Sequence, residues 1–143
     1  MYYFFKATAA LMVLLALNQT SFAKLPQEFG KLDLTLAINS LPKFSQKPFQ
    51  DIRLLDNGET GVRAFRVYHP VPIHNHAYSS TYLSIHSGRG LFRIAGGDVI
   101  EAGVGDMVFW QRGVNHEVIR ILEHPLTFIA IDAPVRRSDD VQK

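Results

Sequence analysis

The chain has 143 residues, 47% of them apolar and 20% charged, with a formal net charge of +2 and no cysteine. That length suits one domain with a real core and is short for two, and the composition excludes a disordered chain. The lack of cysteine excludes a disulfide framework and a thiolate nucleophile. Lys and Arg are scattered, Arg136-Arg137 apart, so no basic stripe is present for a nucleic acid to follow.

Residues 1–23 read as a secretory signal peptide. Lys6 precedes the apolar run Ala7 to Leu17, in which Thr8 is the one polar residue, and Ser21 and Ala23 place small residues at the spacing of a cleavage site. The run is shorter than the roughly 20 residues a membrane-spanning helix needs. Removal of the leader takes Lys6 with it, lowering the formal charge from +2 to +1. A periplasmic or secreted protein is expected, with no membrane attachment after cleavage.

Residues 24–48 form an N-terminal extension with two competing patterns. Leu32, Leu34, Leu36 and Ile38 alternate like a strand, whereas Leu34, Ala37, Ile38 and Leu41 recur like a helix. Asp33 offers a cap and Pro42 a stop, which tips the reading towards a short helix. Residues 49–135 read as strands. The runs at 49–55, 62–68, 81–87, 90–95, 98–102, 106–111, 116–122 and 126–132 are short and rich in β-branched or aromatic residues. Gly, Asp, Asn or Pro bounds each of them, and Asn57-Gly58 suits a hairpin turn. This regular spacing predicts an all-β sandwich or barrel. Residues 136–143 read as a charged tail on the surface.

Two segments carry the chemistry. In "HPVPIHNHAYSST", His74 and His76 are two apart, so on a strand they share a face. In "GVGDMVFWQRGVNHEVIR", a turn through Gly113 leads to His116 at the start of another strand. If both segments line one barrel, three imidazoles meet at one divalent transition metal, for which Fe, Zn, Cu, Mn and Ni all qualify.

These residues resemble the cupin family. His74-Asn75-His76 with Gly88 is similar to its first motif, and Gly105, Gly113 and His116 to its second. The resemblance implies a small double-stranded β-helix, the cupin jelly-roll barrel, and a homodimer. Thr81 stands where the family carries a glutamate ligand, Gln111 where it has proline, and Arg120 where it has asparagine. Three neutral imidazoles without the carboxylate leave a divalent ion its full charge and more than one open position, favouring a small-molecule ligand that is anionic or chelating. Some cupins with three histidines are dioxygenases acting on thiols or diketones with iron.

Secondary expectations attach to other residues. Thr81 should face the metal without ligating it directly. Arg120 shares parity with His116 and Val118, so it is a possible pocket residue that could clamp a carboxylate, although the strand could also carry it to solvent. His69, His86 and His124 belong to loops or the outer surface, Glu117 should face away, and Tyr78 and Trp110 could line a pocket or simply pack. Three functions stay open: a metal-dependent enzyme with oxygenase, lyase or isomerase chemistry, a non-catalytic metal- or small-ligand-binding module, and a structural jelly roll. Expression with the leader should give a mature chain that starts at Lys24, and intact-mass measurement of the exported fraction checks it. Retention of Met1 to Ala23 there would refute the leader.

Overall fold

The computed structural model describes residues 30–143. The signal-peptide reading of residues 1–23 lies outside the described residues, as does the start of the extension. Among the described residues, no helix is long and apolar enough to cross a membrane.

The helix expected in the extension is present as α1, Leu34–Ser40. Asp33 caps it, its Oδ1 accepting from the Leu36 amide at 2.9 Å, and the chain turns extended at Leu41 ahead of Pro42. Eight strands follow: β1 Phe49–Asp56, β2 Gly61–Val67, β3 Val71–His76, β4 Ser80–Ile94, β5 Val99–Gly103, β6 Met107–Trp110, β7 His116–Ala133 and β8 Val141–Gln142. They form one curled antiparallel sheet ordered β1-β2-β7-β3-β8, with β4 pairing β5, β6 and β7. This is the double-stranded β-helix that the cupin resemblance implies, and it agrees with the all-β barrel read from the strand spacing. The Asn57-Gly58 turn joins β1 to β2, with Gly58 at φ +85° and Asn57 Oδ1 accepting from the amides of Glu59 and Thr60.

Four of the predicted strands merge into two. Residues 81–87 and 90–95 are both β4, and residues 116–122 and 126–132 are both β7. The glycines and the proline read as breaks are bends within continuous strands. The β4–β7 register slips at four places between Ile85 and Phe92, so the long ladder coils instead of ending. Gly88 makes one bend possible. It holds φ +79°, and a Cβ there would sit 2.5 Å from the carbonyls of Glu123 and Pro125.

Alternation sorts the two faces of the sheet. Arg63, Phe65 and Val67 of β2 share the inner face with Leu126, Phe128, Ala130 and Asp132 of β7. Val67, Leu83, Phe92, Val108, Trp110 and Phe128 belong to one core cluster inside the barrel. Outside, Ala37, Ile38 and Leu41 cover Ala64, with Ile52, Leu54 and Ile129 packed alongside. Arg66 joins α1 to this outer face. Its guanidinium donates to the carbonyls of Ile38, Leu41 and Pro42 and to Thr127 Oγ1, which satisfies carbonyls at the helix end. The helix is thereby fixed on the side of the sheet away from the interior.

Gly88→Ala should destabilise the protein by about 1–3 kcal/mol, because the strained φ and the backbone clash add. A denaturation midpoint equal to that of the parent would contradict this account of the bend.

Candidate metal centre

β3 and β7 bring the histidines together. The two strands are antiparallel, with His74 directly opposite His116. His76 follows two residues after His74, and the ring centroids of the three lie 4.3 to 5.2 Å apart. One ligand nitrogen from each ring falls within 4.8 Å of the others. His76 and His116 are buried, and His74 is half-buried.

The surrounding groups set the tautomers. The Nδ1–H of His74 donates to the Pro72 carbonyl at 2.8 Å, and that of His116 to the Val114 carbonyl at 2.9 Å. A carbonyl only accepts, so both rings are left with Nε2 as a free lone pair, the arrangement found behind metal-bound imidazoles. His116 Nε2 is fully buried and has no hydrogen-bond partner. Such an orphaned acceptor costs free energy unless a cation or a donor meets it. The triad therefore fits a metal ion. Trp110 stacks on the His116 ring at 3.8 Å, fixing its plane. His76 Nδ1 faces the buried carboxylate of Asp140 at 3.5 Å, beyond hydrogen-bond reach.

All three imidazoles are held below their usual pKa. Burial is the largest cause for each, lowering His76 to about 2 and His116 to about 3, and the Arg136 charge pushes in the same direction. The rings are neutral at physiological pH, which is the state a metal requires.

The histidines stand in the wall of a cavity of about 430 Å³ inside the barrel. Phe49, Phe65, Leu83, Phe92, Trp110 and Phe128 make most of its surface apolar, and Thr81 and Arg136 add polar groups. A larger groove of about 1010 Å³ runs outside, between residues 39–46 and Tyr68-His69. It holds none of the triad, and its two histidines, His69 and His124, are exposed as expected. His86 is exposed as well.

Thr81 faces inward and is fully buried, yet its hydroxyl is already engaged. It donates to Asp132 Oδ1 at 2.8 Å and accepts from Arg136 Nη2 at 2.9 Å. Gln111, in the place of the motif proline, accepts from the Ser80 hydroxyl at 3.0 Å and so ties the turn before His116 to β4. Trp110 lines the cavity, whereas Tyr78 lies outside it beneath the Arg137 guanidinium. Glu117 sits at the cavity edge, paired with Arg93 at 2.7 Å.

Arg120 is a correction, because it is exposed and does not line the cavity. β4 steps from Leu91 to Phe92 while β7 steps from Arg120 to Val118, so Ile119 is an extra residue in the ladder. This bulge reverses the parity that pointed Arg120 inward.

The arginine at the cavity is Arg136, which the sequence reading placed in a surface tail. That tail is also corrected. Asp140 is fully buried, with Oδ1 accepting from the Tyr78 amide at 2.6 Å and Oδ2 from Ser79 Oγ, and β8 pairs with β3. Arg137 and Asp139 do remain exposed. Asp132 was the available signal. It continues the inward series Leu126, Phe128, Ala130, and a carboxylate in that series requires buried cations nearby. Arg63 Nε meets it at 2.8 Å and Arg136 Nη2 at 2.9 Å.

No protein-family model and no curated protein sequence matches the chain. Solved structures do. A double-stranded β-helix protein from Klebsiella pneumoniae is 17% identical with a TM-score of 0.60, over 68% of this chain and 86% of that one. KdgF from Halomonas is 14% identical with a TM-score of 0.60, over 71% and 92%. Pac13 from Streptomyces, solved with uridine, is 14% identical with a TM-score of 0.60, over 78% and 88%, and is described as a nucleoside dehydratase. These likenesses show that the chain has the cupin fold.

Acid should destabilise the metal-free protein. Above about pH 6.5 the imidazoles are neutral in both the folded and the unfolded chain. As pH falls below that, the unfolded chain gains protons that the folded chain refuses until about pH 3, so stability is lost across this window. Each refused proton costs about 1.4 kcal/mol per pH unit. Urea midpoints between pH 6.5 and 5 should fall less steeply in His76→Gln than in the parent. Equal slopes would contradict the burial of a neutral His76.

Proposed function

We propose that the protein is a metal-dependent cupin that acts on a small molecule, with one divalent transition ion held by His74, His76 and His116. The observation that carries this reading is the convergence of three neutral imidazoles in an apolar cavity, one of them with a buried and unpartnered Nε2. A divalent ion bound there supplies Lewis acidity to a coordinated oxygen. The chain does the rest. Pro72 and Val114 hold two ring tautomers, Trp110 fixes the His116 plane, and the aromatic wall excludes water from the bound molecule. Three protein ligands, with no carboxylate at Thr81, leave open positions for substrate, which suits oxygenase, lyase or isomerase chemistry. The leader adds export, so we place this activity in the periplasm or outside the cell.

One observation favours a second reading, that of a binding module without turnover. The acidic groups nearest the histidines are already engaged: Glu117 at the cavity edge is paired with Arg93, and Asp132, behind Thr81 and Arg136, accepts from three side chains. Neither is a free general base.

Elemental analysis of protein purified from its native compartment without an affinity tag should find one first-row transition metal per chain. Alanine at His74, His76 or His116 should remove most of it, while His86→Ala and His124→Ala should leave it unchanged. A protein that is metal-free and also takes up no added iron, zinc, copper, manganese or nickel would refute the metal centre. A loaded protein that binds small molecules and converts none would select the binding module.

A further inference from the structure

Arg136 lies just beyond β7 and turns its side chain into the cavity wall, leaving it 17% exposed. A guanidinium carries five N–H donors. In Arg136 only Nη2 is engaged, to Thr81 Oγ1 and Asp132 Oδ1, each at 2.9 Å. Nε is sealed without a partner, and Nη1 has none among the described residues yet is not sealed. The group is thus held from one side and left with unused donors.

Neutralising Asp132 does not account for that. The carboxylate already receives Arg63 Nε at 2.8 Å and the Thr81 hydroxyl at 2.8 Å. Arg63 reaches a second carboxylate, Asp51, at 2.9 Å, whereas Arg136 has Asp132 alone as an ion-pair partner among the described residues. No other acceptor of the cavity is bonded to it: Glu117 is paired with Arg93, the imidazoles make no hydrogen bond to Arg136, and the remaining wall is mostly aromatic and aliphatic. In such surroundings an under-used cation is costly, and an entering anion would gain charge-assisted bonds with little screening by water. The other cation at the cavity, Lys143, is exposed.

We propose that Arg136 anchors the carboxylate of the molecule taken into this cavity, so that the ligand is a small organic acid with an apolar body. The acid group would lie against Arg136 and the body against the aromatic wall. This rests on the cavity being the functional site, but it does not require the metal.

The test uses the metal-free mature protein and calorimetry with octanoate and octanamide, which share a tail and differ in charge. Octanoate should bind at least about tenfold tighter, the scale of a charge-assisted hydrogen bond. Arg136→Gln should abolish that preference, and Arg136→Lys should keep part of it. A fold-independent check is the Arg136 Nε–Hε resonance of the parent protein, which should move with octanoate and not with octanamide. Equal binding of the two probes, binding of neither, or a preference that survives in Arg136→Gln would overturn the anchor. Failure of the parent protein to take up metal would overturn the metal reading instead, and the octanoate result would still decide this one.

Discussion

Asp132 is fully buried near the end of β7, and three side chains from three parts of the chain converge on it. Thr81 of β4 lies directly opposite in the ladder and Arg63 of β2 lies on the diagonal, while Arg136 returns from beyond β7. A carboxylate with no water around it is tolerable only when its lone pairs are met, and removing one partner from a buried ion pair costs about 3–5 kcal/mol. Asp132 therefore constrains where all three neighbours stand. It fixes the Thr81 hydroxyl, which is bonded to Asp132 and Arg136. It also draws the Arg136 guanidinium to the cavity and keeps Arg63 on the inner face of β2. The polar part of the cavity is built around this one group.

The electrostatics of the histidine site follow from that placement. Arg136 adds its repulsion to the burial that already disfavours imidazolium. The rings thus stay neutral, with lone pairs available, in a wall that holds no free carboxylate. Burial pulls the Arg136 pKa down to about 10, with Arg63 contributing in the same direction, which still leaves a cation at neutral pH. The same cation therefore opposes protonation of the imidazoles and keeps unused donors at the cavity wall.

The histidine triad and the strands were legible in the sequence because both obey period two. His74 and His76 share a face by spacing alone, and Leu126, Phe128 and Ala130 of β7 share one by the same spacing of two. What was not legible came from breaks in that period. A single bulge at Ile119 sends Arg120 to solvent, and nothing in "EVIRIL" marks the extra residue. Gly88 and Pro125 read as turns because their local chemistry suits turns, yet the long β4–β7 ladder overrides them. Arg136 and Asp140 were hidden by their neighbours. A run with two arginines and two aspartates reads as solvated surface, and only the tertiary partners Asp132, Ser79 and Tyr78 show which member of each pair turns inward.

The site is consequently a property of the closed barrel. His74 and His116 are far apart in sequence and meet only when β3 pairs with β7. Asp140 reaches its place behind His76 only when β8 pairs with β3, where its carboxylate takes the Tyr78 amide and the Ser79 hydroxyl. The same segment, residues 136–143, carries Arg136 into the cavity. Ordering that segment costs backbone entropy of about 1–2 kcal/mol per residue. The buried bonds of Arg136 and Asp140 offset this cost, since β8 itself is only two residues long. Whatever loosens those bonds therefore loosens the support behind His76 and the cation at the cavity wall together. The histidine and arginine sides of the cavity are coupled through one short piece of chain.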